Sequence, residues 1–372
     1  MKAEYKRLGD YIRLVDVRNK EQKVDLLLGL SIEKRFIPSI ANTIGTDMSS
    51  YKIVEPMQFA YVPVTSRNGD KITIALYKGS EKATISQAYT VFEVTDTDSL
   101  MQDYLMLWFL RPEFDRYARF KSHGSAREVF DWDEMCNVML PVPPIEEQRR
   151  IVEQYQTVER RIKNNERLIA LLEETAQAIF RHRFVENIDP NNLPEGWRMG
   201  ILSDIAYYCT DRIDTAELND STYISTENMI KDRGGIKNAE SVPSGKCIRF
   251  RSEDILISNI RPYFKKIWRS TFDGGCSADV LCIRTKSEFY PEYTYSIVER
   301  DNFFDYVTAG SKGTKMPRGD REWNMKYEIP IPETIVMHKY HKDVKALRDF
   351  IANLRKEIVL LIALKETLTN KL

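Results

Sequence analysis

Four histidines, five cysteines and a scattering of acids are the residues of this chain that could do covalent or metal chemistry, and their spacing is wrong for it. His123, His182, His338 and His341 form no H-E-x-x-H pair, and His338 with His341 has no further ligand nearby in sequence. Cys136, Cys209, Cys247, Cys276 and Cys282 are an odd, scattered set without a C-x-x-C pair, which reads as free thiols in a reducing cytoplasm. The loop Gly310–Lys315 has glycines and lysines at the wrong interval for a phosphate-binding P-loop, and no G-x-S-x-G elbow is present. Asp189-Pro190-Asn191 lacks the second proline and the aromatic that an adenine-flipping Asp-Pro-Pro element uses to stack a base. We therefore expect no catalytic residue, no metal and no cofactor on this chain.

Binding chemistry is better represented. From Gly245 to Arg269, seven cations (Lys246, Arg249, Arg251, Arg261, Lys265, Lys266, Arg269) stand against Glu253 and Asp254, interleaved with Tyr263, Phe264 and Trp268. Cations, amides and aromatics in one stretch suit phosphate contact and base-edge reading; a solvated strand face would have the same composition. The loop Ser311-Lys312-Gly313-Thr314-Lys315, with Arg318, has the same character. Its weaker counterpart carries Lys121, Ser122, Ser125 and Arg127. Candidate DNA-contact residues are Asn259, Arg261, Tyr263, Lys265, Lys266, Lys312, Thr314, Lys315 and Arg318 in the second half. In the first half they are Arg67, Asn68, Lys78, Ser86, Ser122, Ser125 and Arg127.

The elements that must position them come as a repeat. Runs at 52–64, 71–78 and 89–94 read as strands, with a tight turn at Asn68–Gly69. Residues 104–120 read as a helix broken or bent at Pro112. A polar loop follows, then a short strand at 137–142. After the turn-rich linker DPNNLPEGW the pattern restarts: Leu202-Ser203-Asp204-Ile205 echoes Leu8-Gly9-Asp10-Tyr11. Strands are expected at 247–250, 254–260, 264–269 and 280–285, and one helical run at 292–308. Ile329-Pro330-Ile331-Pro332 repeats Leu140-Pro141-Val142-Pro143.

Each half ends in a long helix. After Pro143-Pro144, a seam runs through Ile151, Tyr155, Val158, Ile162, Asn165, Ile169, Leu172, Ala176 and Ile179 in steps of three and four. The second seam is Met337, Tyr340, Val344, Leu347, Ile351, Leu354, Ile358, Leu361, Lys365 and Leu368. Two such stripes predict one antiparallel pair, since either alone would leave an apolar strip in water. Roughly 35 residues at about 1.5 Å each make a rod of about 50 Å. Domains are expected at 1–144 and 189–332, with helical spacers at 145–188 and 333–372. The class is α+β: two similar modules of mixed β-sheet and helices, related by a pseudo-two-fold and separated by an antiparallel coiled coil.

Equal numbers of Lys+Arg and Asp+Glu, 55 each, leave zero formal charge, so a bulk basic field is excluded but a local basic groove is not. No apolar run approaches a membrane span and the N-terminus lacks a signal-peptide core, which leads us to expect a cytoplasmic protein.

With this architecture, Leu193-Pro194-Glu195-Gly196-Trp197 ahead of Leu202–Ile205, the closing Leu140-Pro141-Val142-Pro143-Pro144-Ile145-Glu146-Glu147-Gln148, and the Gly124–Arg127 loop, the whole chain resembles the specificity subunit of a type I restriction–modification system. The second module departs from that pattern, ending IPIPETIVMHKYHK without Glu-Glu-Gln. The resemblance implies two target-recognition domains, each reading half of a split, asymmetric site in double-stranded DNA, with the paired helices setting the gap. It also implies two methyltransferase subunits using S-adenosylmethionine, and restriction–translocase subunits using ATP and Mg. A coiled-coil scaffold whose modules bind proteins is the alternative, and it predicts no salt-dependent DNA binding.

Overall fold

The computed structural model describes residues 4–39, 47–66, 69, 71–124, 127–186, 188–288 and 290–372. It divides into two compact units, Met1–Asn164 with Ile358–Leu372, and Asn165–Glu357.

The strands of the first unit are β1 Tyr5–Arg7, β2 Ile12–Val15, β3 Leu28–Ser31, β4 Arg35–Pro38, β5 Lys52–Val54, β6 Phe59–Tyr61, β7 Ile74–Leu76, β8 Ala83–Ile85, β9 Thr90–Val94 and β10 Met139–Pro141. Its main sheet runs β2-β9-β6-β7, antiparallel throughout. Helices α1 Gln102–Phe109, α2 Pro112–Lys121 and α3 Trp132–Cys136 follow. Pro112 makes the break, because it sits at the first helical position and leaves Arg111 extended. The predicted run 52–64 is two strands, not one, because the chain turns at Pro56–Gln58, where Met57 adopts φ 67°.

The long helix α4, Ile145–Phe184, begins directly after the proline pair. Gln148 is fully buried in its first turn. Its Oε1 accepts from the Met101 amide at 2.9 Å, and its Nε2 donates to the Ser99 and Pro143 carbonyls at 2.8 Å. The Pro-Pro-Ile-Glu-Glu-Gln motif is thus a staple between helix and module. Replacing Gln148 by alanine strands three backbone groups and is expected to cost about 2–3 kcal/mol in chemical denaturation. An unchanged unfolding midpoint would count against the staple.

The second unit holds β11 Arg198–Ile201, α5 Leu202–Ile205, β12 Ala206–Tyr208, β13 Arg212–Asp214, β14 Tyr223–Ile224, β15 Lys246–Phe250, β16 Ile255–Ser258, β17 Ile267–Arg269, β18 Gly274–Cys276 and β19 Val280–Thr285. It continues with α6 Pro291–Val298, α7 Asp301–Ala309, α8 Arg321–Met325, β20 Glu328–Ile331 and the start of α9, Thr334–Asn370. Its sheet β12-β19-β16-β17 has the same order and sense as β2-β9-β6-β7. β11 pairs β20 as β1 pairs β10. Tyr293 donates to the Pro330 carbonyl as Tyr104 does to Pro141. A second sheet, β13-β15-β18-β14, has no four-stranded equivalent among the described residues of the first unit. The expected single helix 292–308 is two helices, because Arg300 is extended.

The helices α4 and α9 lie antiparallel within each unit. In the second, Arg183 meets Asp343 at 2.6 Å and Arg355 meets Glu173 at 2.7 Å. In the first, Lys365 meets Glu159 at 2.8 Å, and Leu372 packs against the core cluster that includes Val152 and Tyr155. Along the seams Tyr155, Val158, Val344, Ile351 and Leu354 are buried. Ile151, Ile162, Ile169, Leu172, Ile179, Leu347, Ile358, Leu361 and Leu368 are half-buried. Asn165 is 3 % exposed and its amide nitrogen has no hydrogen-bond partner among the described residues. No helix among the described residues is long and apolar enough to cross a membrane.

Candidate nucleic-acid interface

In the second unit the hairpin tip between β16 and β17 meets the loop after α7. Ile260 bridges Arg318, the Arg261 amide donates to the Pro317 carbonyl at 2.8 Å, and Gly319 donates back to Asn259 at 3.0 Å. Lys312 and Arg318 exchange two backbone hydrogen bonds of 2.9 Å that close the loop. The first unit repeats this arrangement. Val64 bridges Val129, Thr65 donates to Glu128 at 3.0 Å, Phe130 donates to Pro63 at 2.9 Å, and His123 and Val129 close the loop. Gly124 and Gly313 hold equivalent positions with φ of 136° and 101°, a backbone that excludes most side chains. At Gly124 an added Cβ would also stand 2.1 Å from the Arg127 carbonyl.

A third segment joins in the second unit. The Asp232 and Arg233 amides donate to the Phe264 and Lys265 carbonyls at 2.9 and 3.0 Å, and Lys231 Nζ stands 3.9 Å from the centre of the Phe264 ring. Arm, hairpin tip and loop therefore bring together Lys231, Arg233, Arg261, Lys265, Lys312, Lys315 and Arg318. Their acidic partners are few. Arg318 pairs with Asp279 at 3.1 Å and Lys312 with Asp320 at 2.8 Å. Arg233 and Lys265 share Asp301 at 2.5 and 2.7 Å, and those two cations hold its carboxyl down to about 2.

The sequence-derived residues divide by geometry. Tyr263 is 46 % exposed and edge-on to Phe264; Thr314 and Lys315 are exposed on the loop. Arg261 adopts φ 51°, lies 5.8 Å from the Phe264 ring centre, and its Nε has no hydrogen-bond partner among the described residues. Asn259 is buried against Gly319, and its Oδ1 has no hydrogen-bond partner among the described residues. Lys266 donates to the Thr226 carbonyl at 2.5 Å, and burial lowers its ammonium.

The first-half residues do not gather in the same way. Arg67, Asn68 and Ser125 lie outside the described residues, as does the Asn68–Gly69 turn apart from Gly69. Ser122 donates to the Ala118 carbonyl at 2.7 Å and accepts from Thr65 at 2.9 Å; Ser86 closes its own turn onto Ala88. Lys78 pairs with Asp103 beyond β7. Arg127 is exposed and has no partner among the described residues.

Sequence reasoning missed Lys231 and Arg233, although the run Lys231-Asp232-Arg233-Gly234-Gly235 is a basic turn signal. It also missed Arg116, Arg119 and Phe120 at the end of α2. Arg119 reaches the Gly69 carbonyl at 3.1 Å and Glu128 at 3.3 Å, and Phe120 is 80 % exposed beside it.

Cys209, Asp254 and Cys282 are buried with ligand atoms close enough to hold a metal. Both Asp254 oxygens are instead engaged by Arg284, at 2.8 and 2.7 Å, and both thiols point at Oδ2. Contact with Cys282 and burial push the Cys209 thiol up, so this is a hydrogen-bonded core cluster rather than a thiolate site.

Residues 13–174 match the family model of the type I restriction modification DNA specificity domain. That match covers most of the first module and most of α4. It is 25% identical over 219 residues to the type I restriction enzyme EcoDI specificity subunit of Escherichia coli, a match covering 58% of this chain and 48% of that protein. This chain thus aligns with about half the length of that relative. The fold is shared with the crystal structure of a type I restriction–modification S subunit from M. genitalium. The TM-score is 0.57 at 11% identity, over 99% of this chain and 95% of that one.

Proposed function

We propose that this chain is the DNA-reading subunit of a type I restriction–modification assembly, each module recognising one half of a bipartite site in double-stranded DNA. The carrying observation is the joined arm, hairpin tip and loop of the second unit, which set seven cations and two aromatics on one surface of a chain with no net charge. Lys231, Lys312, Lys315 and Arg318 contact phosphates; Arg261 and Tyr263, with Thr314, read base edges. In the first module Arg127 and Arg119 take the phosphate role, and Arg67, Asn68 and Ser125 remain candidates for reading. We assign the spacing of the half-sites to the two long helices. Methylation with S-adenosylmethionine and ATP- and Mg-dependent cleavage belong to partner subunits, and this chain is non-catalytic.

The test is duplex selection followed by titration in salt. Lys315→Gln is expected to weaken all sequences alike and reduce the salt slope by about 1. Asparagine tolerates the positive φ at position 261. Arg261→Asn is therefore expected to relax one position of the second half-site at about 1–3 kcal/mol. Binding without sequence preference by the wild-type assembly would sink the reading.

A further inference from the structure

We infer that Arg233 with Asp301, and Lys34 with Asp115, are equivalent positioning pairs that fix each module's DNA-reading hairpin. This rests on the DNA-reading role proposed above. Both cations have a left-handed backbone, φ 57° at Lys34 and 62° at Arg233, each at a turn: that of the β3–β4 hairpin, the first unit's arm, and that of the second unit's arm. Lys34 Nζ donates to the carbonyl of Phe109, at the end of α1, and pairs with Asp115 in α2 at 2.5 and 2.7 Å. Arg233 Nε donates to the carbonyl of Glu299, just past α6, and its Nη2 pairs with Asp301 at the start of α7, both at 2.5 Å. Each cation also lies about one ring's reach from a phenylalanine of the second helix, 6.0 Å from Phe114 and 5.8 Å from Phe304.

The acid then turns to the hairpin. Asp115 Oδ1 accepts from the Ile72 amide at 3.1 Å, and Asp301 accepts from Lys265 Nζ at 2.7 Å. Ile72 and Lys265 are the same hairpin position. The amide of Val62 donates to the next residue, Thr73, as that of Ser258 donates to Lys266. In both units one carboxylate therefore joins arm, helix pair and reading hairpin, although the pairs share no sequence signature. A cation at positive φ without glycine is a strained choice, and its recurrence at this junction needs a reason beyond chance packing. Holding the hairpin within reach of base edges supplies that reason, since direct readout depends on side chains placed to a fraction of an ångström.

Arg233→Met, Arg233→Lys and the neutral pair Lys34→Met/Asp115→Asn, each in the full-length chain, test this. In the free protein, hydrogen exchange at residues 259–266 should accelerate about tenfold in Arg233→Met, return towards wild type in Arg233→Lys, and leave β12, β16 and β19 protected. On selected duplexes, Arg233→Met should lose about tenfold discrimination in the second half-site only, and Lys34→Met/Asp115→Asn in the first only. Unchanged hairpin exchange, or equal loss at both half-sites, overturns the inference. A wild-type protein with no preferred sequence overturns the DNA-reading role instead, and the exchange result still decides whether these pairs hold the hairpin.

Discussion

Replacing Arg348 by methionine is expected to destabilise the chain by about 3–5 kcal/mol, the cost of leaving a buried charge without its partner. Arg348, on α9, donates to Glu299 at 2.8 Å and stands 3.9 Å from Glu292, which is wholly buried. Arg269 pairs with Glu292 at 2.9 Å and Glu253 at 2.8 Å, and Lys345 reaches Glu253 at 2.6 Å. These residues add charged ties from α9 to α6 and β17 beside the apolar packing of α9 on α6. Burial raises the Glu292 and Glu299 carboxyls despite their arginines. Each therefore holds its proton more tightly folded than unfolded, and stability declines as pH rises from the unfolded value of 4.5 through the folded one. Glu292→Gln removes its share of that slope at little cost, whereas Arg348→Met takes away a cation that lowers both carboxyls, steepens the slope and adds the unpaired charge. Denaturation at several pH values separates them. Glu299→Gln added to Arg348→Met should recover part of the loss; a double variant no better than the single would show that the arginine acts through packing alone.

The two helices of that network were legible in the sequence, the charges were not. A heptad seam repeats every three or four residues over thirty positions, and Pro112 interrupts its helix by covalent geometry alone. The break at Arg300 has no such marker. It lies where Arg233, 66 residues earlier than Glu299, takes the Glu299 carbonyl just past α6, so the cause is tertiary. The same limit governs the interface. Lys265 and Lys266 are adjacent and chemically alike, yet one meets an exposed acid and the other a backbone carbonyl. Asn259 has the chemistry of an adenine reader and is buried. Composition located the basic surface; which cations remain available depended on partners from other segments.

Phe184→Ala is the second large effect, expected at about 3–5 kcal/mol for a buried aromatic whose cavity cannot collapse. Phe184 ends α4 at 3 % exposure, with ring centres of Tyr293 and Tyr340 each 4.9 Å away, Phe180 at 5.3 Å and Trp197 at 5.8 Å. Trp197 belongs to the Leu-Pro-Glu-Gly-Trp signature, so the motif closes one side of this cluster while Tyr340 of α9 and Tyr293 of α6 close the others. Tyr340 is further fixed by a 2.7 Å hydrogen bond with Ser296. With rings on several sides there is no mobile neighbour to fill the space, which puts the cost in the upper part of the range for large-to-small changes. Phe184→Leu retains most of the volume and should cost about 1–2 kcal/mol. Val359→Ala, at 67 % exposure on α9, should change stability by less than about 0.5 kcal/mol. Equal losses at 184 and 359 in urea denaturation would mean that helix formation, not this aromatic junction, holds α4 and α9 to the second module. The expected order instead makes the junction the point through which the module orients its helices.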